Sequence, residues 1–207
     1  MKISTALVIP ALFLTSACVS VLPEPVVPEA LYRLDAATPQ RDAQTVEIPK
    51  SLTVYQPEGS SLLLGKDIIF QTDTGGLSVL RKAKWSDTVS SLLQAKLLER
   101  LSTTDGESAV SDATAARTDA ELRWRVRDFV ITDDEAIAAF QITVMTARKR
   151  QIVDQFDVRI AEPYSGASSE AGVEALMQAA ASAMDEIAAR LPESLTQIES
   201  NAESSTR

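Results

Sequence analysis

Three stretches of polar–apolar alternation, and two segments with apolar residues every three or four positions, predict an α+β domain. Its expected form is a mostly antiparallel sheet with one face covered by two amphipathic helices. In the first stretch Leu122, Trp124 and Val126 face one side and Arg123, Arg125 and Arg127 the other. In the second Ala138, Phe140, Ile142 and Val144 oppose Ala139, Gln141 and Thr143. In the third Phe156, Val158 and Ile160 oppose Gln155, Asp157 and Arg159. Short polar joints at Asp133-Asp134 and Arg148-Lys149-Arg150 make two antiparallel hairpins of them. One face is then apolar and must be covered, while the other can meet water or a partner.

The chain opens on a secretory signal over residues 1–17. Lys2 gives a positive start, residues 6–14 an apolar run, and Thr15-Ser16-Ala17 the small residues that a peptidase accepts. The run is too short to span a bilayer, which takes roughly 20 apolar residues, and Pro10 interrupts it. The small residues stop at Cys18, the single cysteine, so the pattern resembles a bacterial lipobox in which that thiol is acylated and becomes the first mature residue. Thr15 stands where the common lipobox has an aliphatic residue, and an ordinary signal peptide cut near Ala17 is the alternative. A lone cysteine in a secreted chain has no disulfide partner, which favours acylation. Lasting attachment takes more than one acyl chain. Val19 after the cysteine, where retention in the inner membrane calls for Asp, points to the outer membrane by the same resemblance.

Residues 18–30 carry Pro23, Pro25 and Pro28 and read as an extended tether; at ~3.1 Å per residue, about a dozen residues reach roughly 35–40 Å from the bilayer. Residues 31–198 are long enough for one domain with its own core, at 45% hydrophobic and 24% charged residues. The formal charge of −9 is a poor match for nucleic acid or anionic lipid, so membrane attachment must come from the anchor. With no histidine, and no thiol once Cys18 is acylated, the side chains most used for acid–base, thiol and transition-metal chemistry are absent. No enzyme, cofactor or metal site is expected. Gly75-Gly76 lacks the Lys-Ser/Thr of a phosphate loop and reads as a tight turn.

Along the domain, residues 31–34, 46–48, 52–55, 62–64, 67–70 and 77–80 read as short strands. Val89, Leu92, Leu93, Leu97 and Leu101 mark a helix over 86–101, capped by Ser86 and anchored through Trp85, and residues 102–106 read as a loop. Val173, Met177, Ala180, Met184, Ile187 and Leu191 mark the last helix, whose stripe suits its own sheet better than a coiled-coil partner. Pro192 should end or bend it, and residues 199–207 read as a disordered tail. Arg123, Arg125 and Arg127 form either a solvated row paired with Asp157 and neighbouring acids, or a docking surface for an acidic partner or lipid head group.

The order of these features resembles the ABC-type transport auxiliary lipoprotein family, the PqiC-like outer-membrane lipoproteins. The resemblance is carried by the lipobox, the Pro-containing linker, Tyr32-Arg33-Leu34, Leu52-Thr53-Val54 and residues 64–70. Lys84-Trp85-Ser86-Asp87 leading into Leu92-Leu93-Gln94 and residues 97–101 is its clearest part. The resemblance implies a non-catalytic docking receptor of the outer membrane. Its implied partners are an MCE-type periplasmic lipid-binding protein and an ABC permease and ATPase, which together move phospholipid or other apolar molecules. A regulatory lipoprotein acting on a cell-wall synthase or an outer-membrane assembly machine is the rival function, and assembly into a homo-oligomer stays open.

Overall fold

The computed structural model describes residues 30–34, 46–101, 109–165 and 168–204. The signal peptide, Cys18, nearly all of the tether and the loop expected over 102–106 lie outside the described residues. The elements are β1 (Ala30–Tyr32), β2 (Leu52–Val54), α1 (Ser61–Leu64), β3 (Asp67–Gln71), β4 (Leu77–Trp85), α2 (Val89–Leu101), β5 (Ala109–Ser111), β6 (Ala120–Ile131), β7 (Glu135–Thr146), β8 (Ile152–Pro163) and α3 (Ser169–Ser204).

The long strands β6, β7 and β8 form the two expected antiparallel hairpins. The sheet is nevertheless mixed. Among the described residues β1–β4, β2–β5, β2–β6 and β3–β6 pair parallel, and β3–β4 is the one further antiparallel pair. The expectation of a mostly antiparallel sheet is corrected accordingly. Alternation identifies a strand but carries no information on its neighbour's direction, and the short strands of the first half join through long connections that permit parallel pairing. One edge of β6 takes β2 beside its start and β3 beside its end, and the other takes β7 along its length.

The core lies between this sheet and the helices. All six stripe residues of α3 are buried, with Val173, Met184, Ile187 and Leu191 at 0% exposure, and the helix packs against β6, β7, β8 and α2. The long stripe is thus used within the chain. Helix α2 contributes Leu93, Leu97 and Leu101, each fully buried. Gln94 fastens α2 to the sheet, donating from Nε2 to the Val54 carbonyl at 2.8 Å and to Asp112 Oδ1 at 2.7 Å.

Four local expectations are corrected. Residues 62–64 form α1 and not a strand, because the Ser60 hydroxyl accepts from Leu62 N at 3.3 Å and its carbonyl from Leu63 and Leu64. Residues 46–48 are not in the sheet; Val46 N donates instead to the Arg100 carbonyl at the end of α2. Helix α2 starts at Val89, capped by Thr88, whose Oγ1 accepts from Ser91 N at 3.3 Å, so Ser86 is not its cap and Trp85 ends β4.

The fourth is Pro192, which does not end α3; the helix continues to Ser204, into the tail expected to be disordered. Leu191 and Leu195 are fully buried on either side of the proline, and Ser194 Oγ donates to Asp154 Oδ2 of β8 at 2.6 Å. Packing and this bond offset the hydrogen bond that proline removes.

Candidate docking surface

The polar face of β6 and β7 is set by register. Glu121, Arg123 and Arg125 stand opposite Met145, Thr143 and Gln141, while Leu122, Trp124 and Val126 stand opposite Val144, Ile142 and Phe140 in the core. Trp124 packs on Phe140 at a ring separation of 5.6 Å and donates its Nε1 to the Tyr55 carbonyl at 2.6 Å. Beyond β2 the chain stays on the β6 edge: Tyr55 N donates to the Leu122 carbonyl, Glu58 N to that of Trp124, and Val126 N to that of Glu58. A Cβ at Gly59 would stand 3.1 Å from the Val126 carbonyl oxygen, so this close approach suits glycine. Tyr55 and Glu58 thereby border the face.

The three arginines have different surroundings. Arg123 is held on both sides: its Nε and Nη2 each lie 3.2 Å from Glu121 Oε2, and its guanidinium stacks 4.0 Å over the Tyr55 ring. Arg125 meets Glu58 at 3.6 Å, both groups being more than half exposed, a contact of little energy in water. Arg127 is exposed and has no ion-pair partner among the described residues. The expected pairing with Asp157 is not what is found; Asp157 stands opposite Gln141 on β7.

Arg127 also sits at a β-bulge. The register shifts between Val126 and Asp128, so that two residues separate the buried Val126 and Phe129. Simple alternation would have turned Asp128 inward and Phe129 outward. Glu58, Arg123, Arg125, Gln141, Thr143 and Met145 line an open depression of about 360 Å3. With one held and one weakly engaged guanidinium group, amide and hydroxyl donors and one thioether, it suits contact with an acidic macromolecular surface better than enclosure of a small molecule.

The pairing of Glu121 with Arg123 is legible in their i, i+2 spacing on one strand face. Tyr55 and Glu58 leave no such trace, since they arrive from a segment far upstream. Trp85 is buried at 1% exposure, its ring 5.8 Å from that of Phe129. Cys18 lies outside the described residues. At the far end of the sheet, burial first and then the Asp133 and Asp134 carboxylates push the Tyr164 phenol above its ordinary pKa, and its hydroxyl donates to the Thr132 carbonyl. That phenol therefore remains protonated at neutral pH. Among the described residues no cluster of three or more acidic, histidine or cysteine side chains could hold a metal, and no helix is long and apolar enough to cross a membrane.

Residues 32–188 match the family model of the ABC-type transport auxiliary lipoprotein component. The crystal structure of protein XCC0632 from Xanthomonas campestris, assigned to family model DUF330, is similar with a TM-score of 0.63 at 16% identity, covering 81% of this chain and 95% of that one. A crystal structure of an uncharacterized protein follows at 0.57 and 17% identity, covering 72% and 95%. At these identities the likeness is one of fold. Curated proteins include no match.

Proposed function

Since the chain belongs to the family of ABC-type transport auxiliary lipoprotein components, we propose that it is a non-catalytic receptor lipid-anchored to the outer membrane through Cys18. There it docks the periplasmic end of an intermembrane transport system that moves phospholipid or another apolar solute. The partners are an MCE-type lipid-binding protein with its ABC permease and ATPase. The family match over most of the folded part carries this reading, and the lipobox and Pro-rich tether supply the means of attachment.

Docking is assigned to the polar face of β6 and β7, with Arg127 and the weakly paired Arg125 as the available donors and Arg123 as the residue that holds Glu121 and Tyr55 in place. In a chain of net charge −9 these cations stand out as a recognition feature for an acidic partner surface. Cys18→Ser tests the anchor. The variant should fold as before, leave the outer-membrane fraction and lack acyl mass; outer-membrane retention of the variant, with no acyl mass on the native protein, contradicts the reading.

A further inference from the structure

We propose that the β3–β4 hairpin is a membrane-contact finger, by which the anchored domain rests on the lipid surface that holds its acyl chains; this builds on the Cys18 anchor proposed above. Three independent observations converge on this hairpin.

The first is apolar exposure without a core to serve. Leu77 and Val79 are 47% and 45% exposed, beside Gln71 and Ile69 in register, on a hairpin whose turn lies beyond the Phe70–Ile131 contact that ends β6. The turn satisfies its own polar groups. Thr72 N donates to the Gly76 carbonyl at 2.9 Å, Gly75 N to the Thr72 carbonyl at 2.8 Å, and Gly76 N to Thr72 Oγ1 at 3.0 Å, while Gly75 takes a φ of 82°. Such a closed turn loses less on leaving bulk water than an open one.

The second is the distribution of charge. Residues 77–85 contain Arg81, Lys82 and Lys84 and no carboxylate, and Asp73 is the one acid between Phe70 and Trp85, although the chain as a whole is acidic. Arg81 lies at most about 13 Å along the strand from Leu77. With Leu77 and Val79 in the interface, Arg81 reaches the level of the phosphate groups, with Lys82 next to it, the arrangement of an interfacial amphipathic element, while Lys84 lies further back and pairs with Asp67 at 3.1 Å. The same segment is ill suited to pairing with a foreign strand. Beyond Val79 the register breaks, Lys82 takes a φ of 62°, and cations line the edge, all of which discourage strand addition.

The third is the direction of β1, the strand that follows the expected tether. Strand β1 runs parallel to β4 and covers only its Ala83–Trp85 end, with Ala30 opposite Ala83. The start of β1 therefore points toward the hairpin end of β4. Leu31, 65% exposed, stands there. The rival basic patch, Arg148-Lys149-Arg150 with the exposed Ile152, lies beside Ala120 at the opposite end of β6, roughly 35 Å away for a strand of this length.

The test uses the full acylated chain in vesicles of phosphatidylethanolamine and phosphatidylglycerol, with a fluorophore on a single introduced cysteine at Val79→Cys or at Ile152→Cys, and a lipid-borne quencher. The account expects quenching and a blue-shifted emission at 79 and neither at 152. In the Val79→Cys background, Arg81→Glu with Lys82→Glu should reduce the quenching. Acylated protein that is quenched at 152 and not at 79, or at neither, overturns the finger and leaves the anchor standing. A preparation without acyl mass at Cys18 overturns the anchor, and the finger with it.

Discussion

Arg100 illustrates how single side chains set the relation between the helices. Its side chain is 6% exposed at the end of α2, with Nε 2.7 Å from Asp185 Oδ1 of α3, itself 58% exposed. The N–H is not aimed along that line, so the contact is an ion pair more than a hydrogen bond. The arginine is the buried partner and the one with more to lose. Asp185→Ala should lower stability by about 1–3 kcal/mol, read by urea unfolding, because it leaves a buried guanidinium without its carboxylate. The exposed Arg125–Glu58 contact is of the opposite kind, and Arg125→Gln should cost well under about 1 kcal/mol.

Among the elements, β6 and α3 each break a rule of periodicity and each break is compensated. Deleting Arg127 should remove the bulge and leave plain alternation, with Asp128 still outward opposite Ala139 and Phe129 still inward opposite Ala138. Circular dichroism and solubility of the deletion variant should therefore report a retained fold, and Arg127→Gln should melt as the parent does. Pro192→Ala should restore a helical hydrogen bond and raise stability by up to about 3 kcal/mol in the same unfolding measurement. The sequence made α2, the three long strands and the buried stripe of α3 legible because their periods run regularly over long stretches, Leu122–Arg127 of β6 among them, ahead of its bulge. It concealed what depends on contact across the chain: α1, decided by the Ser60 cap; the Val46 turn, claimed by the end of α2; and the helix beyond Pro192, retained by Leu195 and Ser194. The direction of the short strands was equally hidden, since alternation is the same in either sense.

Taken together, these elements build a domain with one face closed by helices, a polar face open across β6 and β7, and a basic, apolar-tipped hairpin beyond one end. The arginine row was legible as a row, but its division into held and free members was not. That division depends on Tyr55 and Glu58, which only the fold brings to β6. The account holds that the open face is where the transport partner docks. It is tested most directly by a photo-crosslinking side chain at Gln141 in cells, with adducts identified by mass spectrometry. The predicted result is an adduct with an MCE-type protein or an ABC permease, lost when Arg125 and Arg127 are both changed to Gln. An adduct with a cell-wall synthase or an assembly machine instead, or one with a transport partner that is indifferent to both substitutions, would contradict it.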